Sequence, residues 1–115
     1  MLRSNIKIDL ELKGKAQPNA QLKEAIYRIT QEAINNSIKH SQAKNIKIEV
    51  SFIKNETALI ASDDGIGFDD DDVSKKNLGL YIMHERAKAL GASLDVSSTK
   101  DKGTKISFNY KDKKR

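Results

Sequence analysis

The spacing of the apolar residues changes along this chain, and that change constrains the possible folds more than any other feature. In residues 6–12, 46–52 and 106–110, apolar side chains alternate with polar ones, which is typical of β-strands with one covered face. Between residues 20 and 40 the apolar side chains recur every three or four positions, as they do in an amphipathic helix. The chain therefore combines strands with helices.

The predicted elements follow the order β-α-β-β-loop-α-β-β. We expect strands at residues 6–12, 46–52, 57–61, 94–96 and 106–110, and helices at residues 19–40 and 79–90. Because the strands occur in pairs between helices, this order predicts an α+β protein, a two-layer α/β sandwich whose mixed, mostly antiparallel sheet is covered on one face by helices. The strict alternation of a doubly wound nucleotide-binding fold is missing.

Individual residues mark where these elements end. Asn19 is the predicted cap of the first helix, and Gly91 ends the second helix. Three further apolar residues of the first helix lie on a different face from its main stripe: Tyr27, Ile34 and Ile38. We therefore expect the first helix to be buried on more than one side, and the first strand to be half-buried. The predicted turns are at Asn55-Glu56 and residues 101–103.

Length, composition and charge exclude several classes of protein. A chain of 115 residues predicts one domain, and the absence of Cys excludes disulfides, thiolate zinc sites and a Cys nucleophile. No apolar run approaches the roughly 18 residues of a membrane span. Residues 111–115 carry a net +3 of the chain's +5, which leaves +2 for the rest and argues against a basic nucleic-acid-binding face. We expect residues 1–110 to form the domain and residues 111–115 a disordered basic tail.

The first helix carries polar residues where propensity disfavours them. Glu32, Asn36 and Lys39 fall on one stripe, and Asn36 lies beside the apolar arc. Asparagine is a poor residue for a helix interior, so the Asn35-Asn36 pair indicates a function. Amide and carboxylate oxygens suit Mg²⁺, which completes its shell with phosphate and water oxygens, and Lys39 is placed to meet a phosphate. The alternative is a solvated stripe with a local polar contact.

A second motif, Asp-Asp-Gly-Ile-Gly-Phe at residues 63–68, directly follows a predicted strand. A carboxylate at a strand end, here Asp63, is placed to accept a hydrogen bond from the exocyclic amine of a purine. Gly65 and Gly67 allow the backbone to turn sharply and to approach a ligand closely. The polar stretch at residues 62–77 is too long for a simple turn and indicates a functional loop. The alternative is an ordinary Asp-Gly turn.

Two glycines mark the remaining motifs. Gly79 opens the second predicted helix, where free backbone N–H groups and the helix dipole favour an anion. The alternative is a glycine cap without a ligand. Gly103-Thr104 precedes the last strand and offers a hydroxyl beside a turn, although by itself it predicts only a hairpin.

Taken together and in this order, the four motifs resemble the ATP-binding catalytic domain of sensor histidine kinases. That domain has the Bergerat fold and belongs to the ATPase superfamily shared with gyrase and mismatch-repair ATPases; the nitrate/nitrite-sensor branch is the most similar. The resemblance covers residues 22–110. The matching motifs are residues 31–40 (the asparagine box), residues 63–68 (the first glycine box), residues 78–87 (the second glycine box) and Gly103-Thr104.

The resemblance implies a role for each motif. Asp63 would accept a hydrogen bond from the adenine amine, with a water held by Thr104. Asn36 would coordinate Mg²⁺ that bridges the ATP phosphates, and Glu32 would lie beside the metal and its water as a polariser or a base. Lys39 would neutralise phosphate charge, so that Glu32 and Lys39 are the expected catalytic residues of a phosphoryl transfer.

The same resemblance implies a pocket and a lid. Gly65 and Gly67 would shape the adenine pocket and hinge a lid at residues 69–77, and Gly79 would present the N-terminus of the second helix to the phosphates. The other implied nucleotide contacts are Lys39, Lys75, Lys76, Leu78 and Leu80.

Three features depart from the family's pattern. Asp64 stands where the family usually has Asn, and it would add a negative charge near the phosphates. Asn77 stands where the family often has Gly. The acidic run at residues 69–72 would repel ATP unless it faces solvent.

The resemblance also implies partners. A histidine kinase phosphorylates a histidine on a dimeric helical hairpin, and neither His40 nor His84 lies on such a helix. We expect this chain to be the cytoplasmic catalytic piece of a longer kinase, membrane-anchored or not, that binds ATP without phosphorylating itself and acts upstream of a response regulator. The alternatives on the same fold are an anti-sigma-type protein serine kinase and a non-catalytic nucleotide-sensing module. A basic nucleic-acid-binding domain, with affinity that falls steeply with salt, is the alternative of another class.

Overall fold

The computed structural model describes residues 6–15, 18–38, 43–66, 78–99 and 102–111. Its strands and helices are β1 (Lys7–Gly14), α1 (Ala20–Asn36), β2 (Asn45–Ile53), β3 (Glu56–Asp63), α2 (Leu78–Leu90), β4 (Ser93–Thr99) and β5 (Gly103–Lys111). The order of these elements agrees with the predicted order. β5 extends one residue into the predicted tail, whose other residues, 112–115, lie outside the described part of the chain.

The five strands form one sheet in the order β1-β2-β3-β5-β4. β1 runs parallel to β2, while β2–β3, β3–β5 and β4–β5 are antiparallel pairs. The parallel pair follows from the connection between its strands, because α1 lies between them in the sequence and parallel strands need such a crossover. The predicted fold class, a mixed and mostly antiparallel sheet with helices, is therefore confirmed.

The core lies between the sheet and the two helices. Alternate residues of the central strands supply one wall, with Ile48, Leu59 and Phe108 at most 1% exposed, and Ile29 of α1 and Met83 of α2 supply the other. These residues pack into one hydrophobic cluster, and α1 also packs against α2. Burial of this apolar surface is the main source of stability for a domain without disulfides.

Helix α1 starts and ends with defined geometry. Asn19 caps its N-terminus as predicted, because its side-chain Oδ1 accepts a hydrogen bond of 2.8 Å from the Leu22 N–H. After Asn36 the helix widens into a π turn at residues 37–38. The predicted end at His40 lies outside the described residues.

The prediction that α1 is buried on more than one side is wrong. Tyr27 is 62% exposed and Ile38 is 45% exposed, while Ile34 is half-buried. The physical reason is that the helix layer has one sheet beneath it and one neighbour, α2, so part of the helix surface faces solvent.

The prediction of a half-buried first strand is also wrong. The parallel register places Leu10 beside Ile48 and Leu12 beside Val50, so that the apolar face of β1 continues the core face of the sheet. Nevertheless Leu10 is 65% exposed and Leu12 is 66% exposed. α1 packs against α2 and β3, and α2 packs against β4, so the helices lie over the middle and the far edge of the sheet.

The turn between β2 and β3 is one residue earlier than predicted. It is formed by Lys54 and Asn55, and Glu56 already pairs with Ile53 in the strands. Lys54 has a positive φ of 59°, which is uncommon for a residue with a side chain. No helix within the described ranges is long and apolar enough to cross a membrane.

Candidate functional site

A narrow cleft opens where the end of α1 faces the sheet. The space between its walls is about 330 Å³, part of it open to solvent. Residues from α1, β2, β3, α2 and β5 line the cleft: Ala33, Asn36, Ser37, Ile46, Ala61, Ser62, Asp63, Leu80, Thr104 and Ile106. Predicted site residues from all four motifs (Asn36, Asp63, Leu80 and Thr104) therefore meet at one place.

The last residue of β3, Asp63, is held by two hydrogen bonds. Its Oδ2 accepts a bond of 2.6 Å from the Ser37 hydroxyl, and its Oδ1 accepts a bond of 2.9 Å from the Gly65 N–H. An ionised carboxylate has about four lone-pair positions, so these two donors leave capacity for a ligand that brings a donor of its own. Asp63 is half-buried, and Gly65 is buried.

Thr104 stands beside Asp63 on the neighbouring strand. The two residues are partners in the antiparallel register of β3 and β5. The Thr104 Oγ1 lies 3.0 Å from the Ser98 Oγ of β4, and the Ser98 hydroxyl also donates to the Gly103 carbonyl oxygen at 3.3 Å. The Thr104 hydroxyl is thus oriented by the adjacent strand at the wall of the cleft.

Gly103 is required by the close approach of two backbones. Its φ is +99°, and a Cβ atom at this position would lie 2.1 Å from the carbonyl oxygen of Asp63. A side chain at residue 103 is excluded because the atom that it would meet belongs to the Asp63 backbone, which cannot rotate away as a flexible side chain could. The glycine of this motif therefore allows the start of β5 to lie against the end of β3, which sets Thr104 beside Asp63.

Asp64, whose charge the resemblance places near the phosphates, has its carboxylate hydrogen-bonded to the start of β2. Its Oδ1 accepts bonds of 2.9 Å from the N–H groups of Lys44 and Asn45, and its Oδ2 accepts a bond of 2.7 Å from the Asn45 side chain. The Asp64 N–H in turn donates to the Asn45 carbonyl oxygen. These hydrogen bonds, with the Asn45 side chain the largest contributor, lower the pKa of Asp64 to about 2.

The two predicted metal residues lie one turn apart on α1, and only one of them lines the cleft. Asn36 lines the cleft, and Glu32 is half-buried one turn before it. The described part of the chain holds no group of three or more His, Cys, Asp and Glu side chains able to bind a metal. A donor set of one amide and one carboxylate does fit Mg²⁺, because Mg²⁺ is usually held by one or two protein ligands together with phosphate and water oxygens.

The second glycine motif forms the first turn of α2. Leu78 begins the helix, Gly79 is half-buried, and Leu80 is 3% exposed in the wall of the cleft. The other predicted residues and the lid lie outside the described part of the chain: Lys39, Gly67, Lys75, Lys76 and residues 69–77.

Two residues of the site were missed by the sequence reasoning, Ser37 and Ser98. A serine has no periodic signature, and the partner of Ser37 is 26 positions away in the sequence. Ser98 was missed because the predicted turn at residues 101–103 sets it opposite Ile106, whereas the structure pairs it with Thr104.

Comparison with known proteins agrees with this geometry. The family described as histidine kinase-, DNA gyrase B- and HSP90-like ATPase matches residues 21–114. The chain belongs to this ATPase family. The description of the family as an ATPase agrees with ATP as the predicted ligand. The matched region of the chain contains all four motifs.

Sensor proteins are among the curated proteins that resemble the chain. The sensor protein VraS of Staphylococcus saprophyticus is 38% identical over 85 residues, and VraS of Staphylococcus aureus strain COL is 37% identical over 86 residues. Each alignment covers 74% of this chain and 24% of the relative. The aligned part of the chain thus spans about a quarter of the length of these proteins.

Solved structures of histidine kinases share the fold. The histidine kinase domain of the blue-light activated histidine kinase from Erythrobacter litoralis EL346 superimposes with a TM-score of 0.79 at 21% identity, over 95% of this chain and 52% of that chain. The histidine kinase AdeS of Acinetobacter baumannii gives a TM-score of 0.75 at 20% identity, over 96% of this chain and 56% of that chain. Both matches include β1, which lies before the region matched by the family.

Proposed function

We propose that this chain is the ATP-binding catalytic domain of a two-component sensor histidine kinase. The observation that carries the proposal is the position of Asp63, an acceptor at the end of β3 that faces the same cleft as Asn36 and Thr104. Membership of the ATPase family and the likeness to VraS support the kinase assignment over the other functions considered for this fold.

At the base end of the cleft, Asp63 accepts a hydrogen bond from the adenine amine, and Thr104 holds a water beside it. Gly65 and Gly67 keep the turn close to the ring.

At the phosphate end, Asn36 would hold Mg²⁺, and Glu32 would lie beside it as a polariser or a base. Bound Mg²⁺ supplies neutralisation of phosphate charge. Lys39 adds positive charge, and Gly79 places backbone N–H groups of α2 toward the phosphates. The remaining proposed contacts are Leu78, Lys75 and Lys76.

The reaction is transfer of the γ-phosphoryl group to a histidine on a separate dimerisation domain of the same cytoplasmic kinase, which then passes it to a response regulator. Positioning and charge stabilisation account for most of the catalysis in such transfers. The chain alone is therefore expected to bind ATP and not to phosphorylate itself.

Calorimetric titration with ATP and ADP, with and without Mg²⁺, tests the proposal on the wild type and on Asp63→Asn. We expect Mg²⁺-assisted binding by the wild type and a loss of roughly tenfold or more in affinity for the variant, because an interaction with a charged acceptor is removed. Asp95→Asn, an exposed carboxylate on β4, is the matched control and should bind as the wild type does. A wild type that binds no nucleotide, or an Asp63→Asn variant that binds unchanged, would contradict the proposal.

A further inference from the structure

Ser37 lines the cleft between Asn36 of α1 and Asp63 of β3. It directly follows Asn36 and is 3% exposed. Its backbone N–H is shared between the carbonyl oxygens of Ala33 and Ile34, at the point where α1 widens into the π turn. The side chain is therefore set by the helix, and its hydroxyl points to the Oδ2 of Asp63 at 2.6 Å.

We infer that Ser37 is a positioning residue that fixes the Asp63 carboxylate as an acceptor toward the nucleotide base and thereby raises the preference for a base with an amine over one with a carbonyl at that position. The inference rests on the proposed nucleotide site and adds to it a residue that sets base selectivity.

The first step of the argument concerns the orientation of the carboxylate. The terminal torsion of an aspartate is broad, so one hydrogen bond leaves the carboxylate free to rotate. The Gly65 N–H holds Oδ1 from the turn that follows β3, and the Ser37 hydroxyl holds Oδ2 from α1. Contacts on both oxygens from two different elements fix the plane of the carboxylate.

The second step concerns what the fixed carboxylate recognises. Both protein groups are donors, so Asp63 acts as an acceptor on both oxygens. A ligand group that faces it must then bring a donor. Adenine presents an amine at this edge, whereas hypoxanthine and guanine present a carbonyl oxygen there. A carbonyl opposite the carboxylate leaves two acceptors facing each other, and such unpaired polar groups reduce affinity strongly.

The experiment compares ADP with IDP, whose hypoxanthine base replaces the amine by a carbonyl, in the presence of Mg²⁺. Ser37→Ala is expected to weaken ADP binding roughly tenfold while changing IDP binding less. The dissociation constant of IDP divided by that of ADP therefore falls. Ser37→Cys keeps nearly the original volume with a weak donor and should shift the ratio in the same direction. Ser107→Ala, on the opposite face of the sheet, is the control and should leave both constants unchanged.

The outcomes separate this inference from the proposed function. If the wild type binds ADP and Asp63→Asn does not, while both Ser37 variants keep the wild-type constants, this inference alone fails. An equal loss of ADP and IDP affinity would reduce Ser37 to a structural role and would also overturn it. If the wild type binds no nucleotide, the proposed function fails and this inference fails with it. Thermal melts establish folding, and Ser37→Cys carries the test if Ser37→Ala does not fold.

Discussion

Because Gly103 has no side chain, β5 can start close to the end of β3 and set Thr104 beside Asp63. Its positive φ and the 2.1 Å approach of a virtual Cβ to the Asp63 carbonyl oxygen are two separate penalties for any substitution. Gly91, with φ +73°, has no atom within 4 Å of its virtual Cβ and carries only the first penalty. The two glycines therefore form a matched pair that separates backbone strain from steric exclusion.

We expect Gly91→Ala to lower the free energy of unfolding by about 1 kcal/mol, the cost of a left-handed residue. Gly103→Ala should cost at least about 2 kcal/mol more, because the strands must also separate beside Asp63. Urea denaturation of the two variants measures the difference. Equal losses would mean that the close approach of β3 and β5 is relieved without cost.

Some residues of the site could be predicted from the sequence, and others could be identified only from the structure. Asn36, Asp63 and Thr104 were predicted, because each lies in a motif whose order along the chain is informative. Ser37 lies within the asparagine box, but the sequence gives it no role, because its proposed function depends on a hydrogen bond across the cleft. The orientation of Asp64 was equally invisible, because it depends on backbone N–H groups at the start of β2.

At the scale of elements, the Asp64 carboxylate links the end of β3 to the start of β2 by hydrogen bonds. Its folded-state pKa of about 2 lies below the ordinary value of 3.8, so the folded state binds this proton less tightly than the unfolded state. The stabilising contribution is therefore complete above about pH 4 and is lost as the pH falls through about 2. Asp64→Asn removes this titration.

We expect the wild type to be more stable than Asp64→Asn at about pH 5, and this difference to shrink toward pH 2. Urea denaturation at several pH values measures it. Asp95→Asn provides the matched control for removal of an exposed carboxylate. A difference between wild type and Asp64→Asn that stays constant with pH would show that the hydrogen bonds to Lys44 and Asn45 do not favour the ionised form.

The start of α1 offers a second test at this scale. Asn19→Ala removes the acceptor of the Leu22 N–H and should lower the free energy of unfolding by about 1 kcal/mol. Gln21→Ala, an exposed change within the first turn, should have an effect near zero or slightly stabilising. Chemical denaturation compares them. The hypothesis that Asn19 stabilises the helix fails if both variants match the wild type.

At the scale of the whole molecule, apolar residues on the same face of the sheet differ widely in how far they are buried. Leu10 of β1 and Leu59 of β3 both lie on the core face of the sheet, yet Leu10 is 65% exposed and Leu59 is fully buried. We expect Leu59→Ala to cost about 2–5 kcal/mol and Leu10→Ala less than about 1 kcal/mol. Thermal or urea unfolding of the pair measures this. A large loss for Leu10→Ala would show that β1 is covered in solution.

The same contrast explains how far the sequence predicted the architecture. Periodicity identified the strands, the helices and their order, because side-chain spacing reflects local geometry. It failed for the burial of β1 and for the outer face of α1, because burial depends on which elements lie above a surface. The same alternation in β1 and β2 therefore accompanies exposed side chains in one strand and buried ones in the other.

The parallel pairing of β1 with β2 has a consequence for the order of assembly. The hairpins β2–β3 and β4–β5 join neighbours in the sequence, whereas β1 meets β2 only after the chain has passed through α1. Closing this long connection costs entropy, and the exposed face of β1 recovers little of it. β1 is thus expected to join last during folding and to leave first, and its backbone amides should exchange with deuterium before those of the central strands.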